Sequence, residues 1–293
     1  MSESKQLPVN QQPSRSYFSD SIIRIRKHRG AMLGLWLLIG LVLLAIFAPF
    51  LTPHSPDATD LMATLIPPNR EHWFGTDDFG RDILTRILFG GRISLTVGLI
   101  ALAIGAIIGT LMGLVAGYFG GWVDAVTNWF VDVLLAFPGI LLALLVVSIL
   151  GAELRNVMLA VGASMIPRFA RLVRGTTLQA KENLYVEASR VSGAKESRTM
   201  MRHVLPNIIS PVIVLSTLSL GTAIIVASGL SFLGLGAKPP TPEWGAMLSD
   251  GRQFLRSNWW VATFPGVAIL ITVIAVNLLG DGLRDALDPK MQR

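Results

Sequence analysis

The sequence contains no cysteine and little charge. Only 15% of its 293 residues are charged, whereas soluble domains average about 25%. Without cysteine the chain has no thiolate metal site, iron–sulfur cluster, disulfide scaffold or cysteine nucleophile. Its four histidines show no ligand spacing such as HExxH. The sequence therefore predicts no bound metal, no cofactor of its own and no catalytic residue.

Hydrophobic residues make up 52% of the chain, and the mean hydropathy is +0.56. Apolar segments lie at about 31–51, 93–117, 133–150, 157–173, 208–233 and 261–279. A segment of roughly 20 residues spans the hydrocarbon core of about 30 Å. The first segment is also longer than the apolar region of about 7–15 residues in a cleavable signal peptide. The prediction is an all-α integral membrane protein with six transmembrane helices.

The charge distribution supports counting residues 157–173 as a transmembrane span, although this is the weakest of the apolar segments. It contains Pro167, Arg168 and Arg171. With six spans and a cytoplasmic N-terminus, 17 of the 25 Lys and Arg residues lie inside and 8 lie outside. Omitting this span leaves 9 inside and 16 outside. The positive-inside rule therefore favours six spans with both termini cytoplasmic. The net charge of +6 lies at membrane flanks rather than on a soluble basic patch, so no nucleic-acid partner is expected.

These spans divide the chain into a cytoplasmic tail (1–30), a first transmembrane helix (31–51), an extracytoplasmic segment (52–92), a core of five transmembrane helices (93–281) and a cytoplasmic tail (282–293). A cytoplasmic loop lies within the core at about 174–206. Small residues recur every fourth position from Ala101 to Gly117 in the second span. Such spacing is typical of close helix packing in lipid.

The extracytoplasmic segment contains Gly75-Thr-Asp-Asp-Phe-Gly-Arg-Asp82. The apolar residues after it predict a short interfacial helix over 83–88, capped by Thr76 or Asp77. Asp82 and Arg86 are expected to pair at i,i+4. The three aspartates of this stretch suggest a cation site, but no other ligand pattern supports one.

The long cytoplasmic loop is expected to form a helical hairpin. Leu184, Ala188 and Val191 share one helical face, and a pair of Glu187 with Arg190 is expected on the other. Gly193 is suited to end this helix with a positive φ.

A second short helix follows Gly193, and Pro206 is expected to turn the chain into the fifth span. Two interpretations are open at this point, a solvated amphipathic loop or a docking surface that includes Met200 and Met201.

The residues of this hairpin resemble the EAA loop of ABC-importer permeases. Those that carry the resemblance are Glu187, Ala188, Ser189, Gly193, Leu205 and Pro206. Ser189 stands where the family commonly has Ala, and His203 where Ile is frequent. Residues 75–82, 230–248 and 277–289 further resemble the C-type permease of dipeptide, oligopeptide, glutathione and nickel importers.

The resemblance implies a type I ABC-importer permease in a bacterial inner membrane. Its partners would be a homologous second permease, two ATPase subunits that use ATP and Mg²⁺, and an extracytoplasmic substrate-binding protein. The hairpin would be the coupling helix that seats in an ATPase. The chain itself has no GxxxxGK[ST] phosphate loop. Peptide is the default substrate, and nickel is the alternative within the family.

Two functions of other classes are less favoured. A secondary transporter is expected to carry paired intramembrane carboxylates or an inverted repeat, but Asp132 is the only carboxylate at a predicted span. An intramembrane enzyme needs a catalytic pair within the spans, and none is apparent. Asp132 is interpreted either as lining the pathway or as a boundary residue.

Polar residues at span depth are candidates for lining the translocation pathway. They are Asp132, Ser164, Thr217, Thr222, Ser228 and Asn277. Residues 239–244 are predicted to form a re-entrant or surface-lying segment at the mouth of the pathway, in contact with the binding protein. The candidate residues of the extracytoplasmic motifs are Thr76, Asp77, Gly80, Arg81, Asp82, Pro240, Glu243 and Trp244.

Overall fold

The structure, a computed structural model, describes residues 25–287, and its long elements are all α-helices. The helices are α1 (Arg29–Ile46), α2 (Ala48–Leu51), α3 (Ile83–Phe119), α4 (Gly121–Leu135), α5 (Gly139–Leu150), α6 (Leu154–Lys181), α7 (Leu184–Val191), α8 (Glu196–Thr199), α9 (Leu205–Phe232), α10 (Trp244–Gly251) and α11 (Trp260–Leu287). Within the described range, an isolated antiparallel bridge joins Thr76 to Asp82 and no strand is present. Most of the predicted tails, 1–24 and 288–293, lies outside the described residues.

Four helical segments are long and apolar enough to cross a membrane: α1, α3, α11, and the continuous run Glu196–Phe232 that contains α9. The pair α4 and α5 adds a fifth if the two count as one bent span. Helix α6, with 28 residues, is long enough to cross a membrane, but it is not apolar enough to count among these candidates. The all-helical membrane architecture is therefore confirmed, while six spans and the orientation of the termini stay predictions.

The small residues of α3 let α6 approach closely. A Cβ atom placed on Gly109 would lie 2.6 Å from the carbonyl oxygen of Ile166, and one on Gly113 would lie 2.4 Å from that of Ala170. Both distances are shorter than real Cβ contacts, so only glycine permits this approach. The four-residue stripe in α3 is thus a packing surface for α6, as its spacing predicts.

The apolar core lies between α3, α6 and α9. Its fully buried side chains include Leu114 of α3, Phe169 of α6 and Leu230 of α9. Helix α1 lies at the edge, where Gly34 packs against the backbone of α11 near Ala275. Large apolar side chains such as Trp36 stay exposed on α1, as expected for a helix that faces lipid on most of its circumference.

The predicted third span, 133–150, is not one helix. Helix α4 ends at Leu135, Pro138 is the N-cap of α5, and the two axes differ by 93°. Proline disfavours the helical conformation at the residue before it and donates no backbone hydrogen bond. Residues 133–150 therefore belong to a broken span or a re-entrant loop. Pro167, Pro211 and Pro265, by contrast, lie inside helices.

The predicted interfacial helix over 83–88 is also corrected. These residues form the first turns of α3, which runs without a break to Phe119. The N-cap is Asp82, whose carboxylate accepts from the backbone N–H of Thr85 at 2.7 Å. Neither Thr76 nor Asp77 caps this helix, because both are engaged in the preceding loop.

Candidate functional site: the hairpin and the motif segments

The hairpin formed by residues 184–205 has a glycine turn with a fixed geometry. Gly193 has φ +78°, and its N–H donates to the carbonyl of Arg190 at 2.9 Å. The N–H of Ala194 donates to the carbonyl of Ser189 at 3.2 Å. These two bonds form a Schellman motif, which ends α7 as the glycine predicts. The space around the Gly193 Cα is open, so the positive φ and not crowding favours glycine.

The second arm of the hairpin continues into α9 without the predicted turn at Pro206. A π-helical segment, Met200–Val204, follows α8, and Pro206 lies in the first turn of α9. The N–H of Leu205 reaches back to the carbonyl of Met200. The wider π turn changes the hydrogen-bond register just before the proline, which then needs no N–H donor. The prediction of a turn was wrong because it ignored this alternative.

One face of α7 packs inward and the other is uncovered. Val186 is fully buried, whereas Leu184 and Val191 are 81% and 83% exposed. Beside them lies an open groove of about 460 Å³. Its lining residues are Tyr185, Ala188, Ser189, Ser192, Ala194, Arg198, Arg202 and His203. An apolar helix face next to a basic groove is a surface suited to a protein partner with acidic groups.

Arg190 does not pair with Glu187 as predicted. Its Nε lies 3.4 Å from Glu196 across the hairpin, and its guanidinium lies 5.2 Å from the ring centroid of Tyr118. The hydroxyl of Tyr118 also bonds to Glu196. Hydrogen bonding to Tyr118 raises the pKa of Arg190 above its ordinary value. Glu187 is exposed and forms no ion pair with any described residue.

This trio connects the hairpin to the membrane helices. Tyr118 is the penultimate residue of α3, and Arg190 and Glu196 lie on the two arms of the hairpin. The hydroxyls of Ser189 and Thr199 add a 3.0 Å bond between the same arms. These contacts hold the hairpin against the end of α3. Tyr118 was not predicted from the sequence, where the available signal was an isolated polar aromatic residue directly after the small-residue stripe of α3.

A buried ion-pair cluster organises residues 75–86. Asp77 accepts from the Nε of Arg81 at 2.7 Å and from two backbone N–H groups, and Arg86 lies 3.6 Å away. All three side chains are almost fully buried. Arg86 pairs with Asp77 and not with Asp82 as predicted. The carboxylate of Asp77 is neutralised by arginine, so the aspartate stretch alone does not form a cation site.

The loop around this cluster leaves no room for larger residues. Gly80 has φ +71°, and a Cβ atom there would lie 1.8 Å from the carbonyl oxygen of Asp60. The buried hydroxyl of Thr76 accepts from the N–H of Ile66 at 2.9 Å and donates to the carbonyl of Ala63. Thr76 and Gly80 therefore hold the loop together.

The segment 240–244 packs against the first turns of α3. Arg86 Nη1 donates to the carbonyl of Pro240 at 3.2 Å. Glu243 is the N-cap of α10 and accepts from two backbone N–H groups and from the hydroxyl of Ser94. The indole of Trp244 donates to the carbonyl of Ile87 at 2.9 Å.

Glu243 and Trp244 are each only 2% exposed. Both side chains are therefore packed inside the protein, and Glu243 offers no surface to a binding protein. The re-entrant or surface-lying placement of residues 239–244 relative to the membrane stays a prediction. Ser94, which also donates to Glu243, was not singled out from the sequence because one serine in a span carries no distinguishing pattern.

The six pathway candidates are spread over α4, α6, α9 and α11 rather than gathered in one pocket. Asp132 forms an exposed ion pair with Arg171 of α6. Ser164 and Thr217 bond to carbonyls of their own helices, and Ser228 is buried. Thr222 and Asn277 are exposed. Their role in lining a pathway stays a prediction.

Residues 105–293 match the sequence profile described as the binding-protein-dependent transport system inner membrane component. This match covers more than half of the chain and includes the hairpin. The chain belongs to this family. Residues 16–68 match a second profile, the N-terminal transmembrane domain of oligopeptide transport permease C. The permease thus combines a family core with an additional first helix.

Two curated relatives are similar to this chain over nearly its full length. The permease is 47% identical over 285 residues to the dipeptide transport system permease protein DppC of Alkalihalophilus pseudofirmus, covering 97% of this chain and 94% of that protein. It is 48% identical over 269 residues to the glutathione transport system permease protein GsiD of Pectobacterium atrosepticum, covering 92% and 89%.

The fold is also similar to a solved structure. An inward-facing structure of the MetNI methionine ABC transporter matches with a TM-score of 0.56 at 20% identity, covering 69% of this chain and 96% of that chain. At this identity the likeness shows the fold alone. It supports an ABC-importer permease architecture for the matched part.

Proposed function

We propose that this permease forms one half of the translocation pathway of an ATP-driven, binding-protein-dependent peptide importer in a bacterial inner membrane. A homologous second permease would complete the pathway, and two ATPase subunits would hydrolyse ATP with Mg²⁺. Dipeptides or glutathione are the proposed substrates, because relatives about half identical over nearly the whole chain carry those names.

The hairpin is the observation that carries this proposal. It presents an uncovered apolar face and a basic groove, and its turn is fixed by Gly193. It is also tied to α3 through Arg190 and Tyr118. An element with these properties is suited to transmit motion from a docked ATPase to the membrane helices.

We propose that α6 also crosses the membrane, which brings the number of spans to six. Its arginines lower its mean apolarity, but Arg171 pairs with Asp132 and Arg174 pairs with Asp124 of α4. Residues from Val157 to Val173 on its other face are buried against α3. Paired charges toward one end of an otherwise packed helix are compatible with crossing the bilayer.

Reconstitution in liposomes tests the function. The permease would be purified with the subunits that copurify with it, and uptake of a labelled dipeptide and of glutathione would be measured with and without ATP and a loaded binding protein. We expect uptake only with ATP and the complete complex. ATP-independent uptake by the chain alone would contradict the proposal, and uptake of Ni²⁺ without peptide uptake would contradict the assigned substrate.

A further inference from the structure

Two histidines and one aspartate converge beside the start of α3. A ring nitrogen of His54, a ring nitrogen of His72 and a carboxylate oxygen of Asp82 all lie within 4.8 Å of one another. We propose that this cluster binds one divalent transition-metal ion of the zinc class, namely Zn²⁺ or the chemically similar Co²⁺ or Ni²⁺. The sequence alone predicted no metal, because the three ligands are separated by 18 and 10 residues and match no standard spacing.

One of the distances already suits a shared ion. His72 Nδ1 and Asp82 Oδ1 are hydrogen-bonded at 3.0 Å, and two ligand atoms bound to one tetrahedral zinc at about 2.0–2.1 Å are roughly 3.3 Å apart. An ion would replace the proton of this hydrogen bond, and the His54 ring would have to turn toward the pair if its nitrogen lies at the outer limit of 4.8 Å. The rings of His54 and His72 lie 5.0 Å apart between centroids, at 31° to each other. Two imidazoles and one carboxylate form a common donor set for zinc and for other first-row divalent ions.

The surrounding structure holds two of the three ligands in place. Asp82 Oδ2 accepts from the N–H and the hydroxyl of Thr85, which leaves Oδ1 directed at His72. The backbone N–H of His72 donates to Asn69 Oδ1 at 2.8 Å, and its carbonyl accepts from Gly75 at 2.9 Å. Such outer contacts fix the orientation of metal ligands.

The third ligand, His54, has no hydrogen bond to any other described residue through its ring. It lines a cavity of about 410 Å³ together with Asp82, Arg70 and Glu71. This cavity provides space for water molecules on the coordination positions that the protein does not fill. A bound ion would join the chain just after α2 to the first residue before α3, so its role would be to fix these helices relative to each other.

The test measures metal content and not transport. The complex would be purified with an affinity tag free of histidine, treated with a chelator and titrated with Co²⁺, with bound metal and the visible ligand-field spectrum as readouts. This chain supplies no thiolate ligand because it has no cysteine, and a complex that carries His54→Ala shows how much Co²⁺ the other subunits bind. We expect one Co²⁺ per permease chain, displaced by Zn²⁺.

Variants then assign the ligands. His54→Ala should weaken Co²⁺ binding at least about 10-fold, since even outer contacts are worth about 10–100-fold. Asp82→Asn should weaken it similarly while keeping the helix cap, because asparagine caps as well as aspartate. His28→Asn changes a histidine at the N-cap of α1, where asparagine also caps, and should leave Co²⁺ binding unchanged. Absence of stoichiometric Co²⁺, or equal affinity of wild type and His54→Ala, would overturn the proposal whatever the outcome for peptide uptake.

Discussion

The guanidinium of Arg190 lies 5.2 Å from the ring centroid of Tyr118. Arg190 is on the first arm of the hairpin, and Tyr118 is at the end of α3. The pair joins the surface proposed for the ATPase to the helix that packs most extensively in the core. Glu196 completes the contact, because its carboxylate lies 3.4 Å from Arg190 Nε and accepts a hydrogen bond from the Tyr118 hydroxyl. Three side chains therefore connect the hairpin to α3, and we expect them to couple the motions of the two.

Removing this contact should uncouple ATP hydrolysis from transport. We expect Arg190→Ala to insert normally, since Arg190 lies outside the candidate spans, but to lower peptide uptake and the stimulation of ATP hydrolysis by loaded binding protein. Lys195→Ala is the matched control, because Lys195 is an exposed basic residue of the same hairpin with no ion pair to a described residue. Equal losses in both variants would contradict a specific role for Arg190.

The turn at Gly193 should tolerate asparagine better than valine. Its φ of +78° costs a β-branched residue roughly 1 kcal/mol or more, whereas asparagine adopts this conformation more readily. The surroundings are open, so added volume matters only where a partner docks. We expect Gly193→Val to reduce stimulated ATP hydrolysis strongly and Gly193→Asn to reduce it less. Wild-type hydrolysis and transport by Gly193→Val would contradict the coupling role.

The hairpin and the packing stripe could be predicted from the sequence because both depend on local patterns. Gly193 follows an apolar i,i+4,i+7 set, and the small residues of α3 repeat every fourth position. Each feature needs only the residue type and its spacing.

The ion pairs could not be predicted, because they depend on which distant segments meet. Arg190 has Glu187 nearby in sequence, but the turn brings Glu196 and Tyr118 to it instead. Similarly, Thr76, Asp77 and Asp82 are all suitable caps, and only the tertiary contacts of the first two leave Asp82 for α3. Local preference gives several candidates, and packing decides between them.

A methyl group at Gly109 should destabilise the helix pair. Its Cβ would lie 2.6 Å from the carbonyl oxygen of Ile166, and overpacking typically costs about 1–3 kcal/mol. Gly175→Ala is the control, because Gly175 lies within α6 with open space around it. That substitution should stabilise the helix by about 0.5–1 kcal/mol. In detergent, the temperature of thermal unfolding should therefore fall for Gly109→Ala and rise for Gly175→Ala. Shifts of this temperature in the same direction would contradict the close packing of α3 on α6.

The ionised form of Asp250 should destabilise the protein. Burial raises the pKa of its carboxyl above the ordinary value, and the nearby charge of Asp78 adds to the effect. Because the folded state binds this proton more tightly, the stabilisation is present at low pH and is lost as pH rises through the folded-state pKa. We expect Asp250→Asn to unfold at a higher temperature than wild type at neutral pH.

The difference in unfolding temperature between Asp250→Asn and wild type should shrink as the pH is lowered toward 3.8, the ordinary pKa of an aspartate carboxyl. A thermal-unfolding series against pH measures this directly. A constant difference at all pH values would contradict the electrostatic cause.

The absence of native cysteine permits a clean test of the proposed orientation. Ser197 lies on the hairpin and is exposed, and Met62 lies in the first long connecting segment and is 94% exposed. With 17 basic residues assigned to the inside and 8 to the outside, the positive-inside rule places these two positions on opposite sides of the membrane. In intact cells, an impermeant thiol reagent should label Met62→Cys and not Ser197→Cys, and Ser197→Cys should react only after permeabilisation. Labelling of Ser197→Cys from outside would show that the hairpin cannot meet an ATPase, because its docking face would then lie on the wrong side.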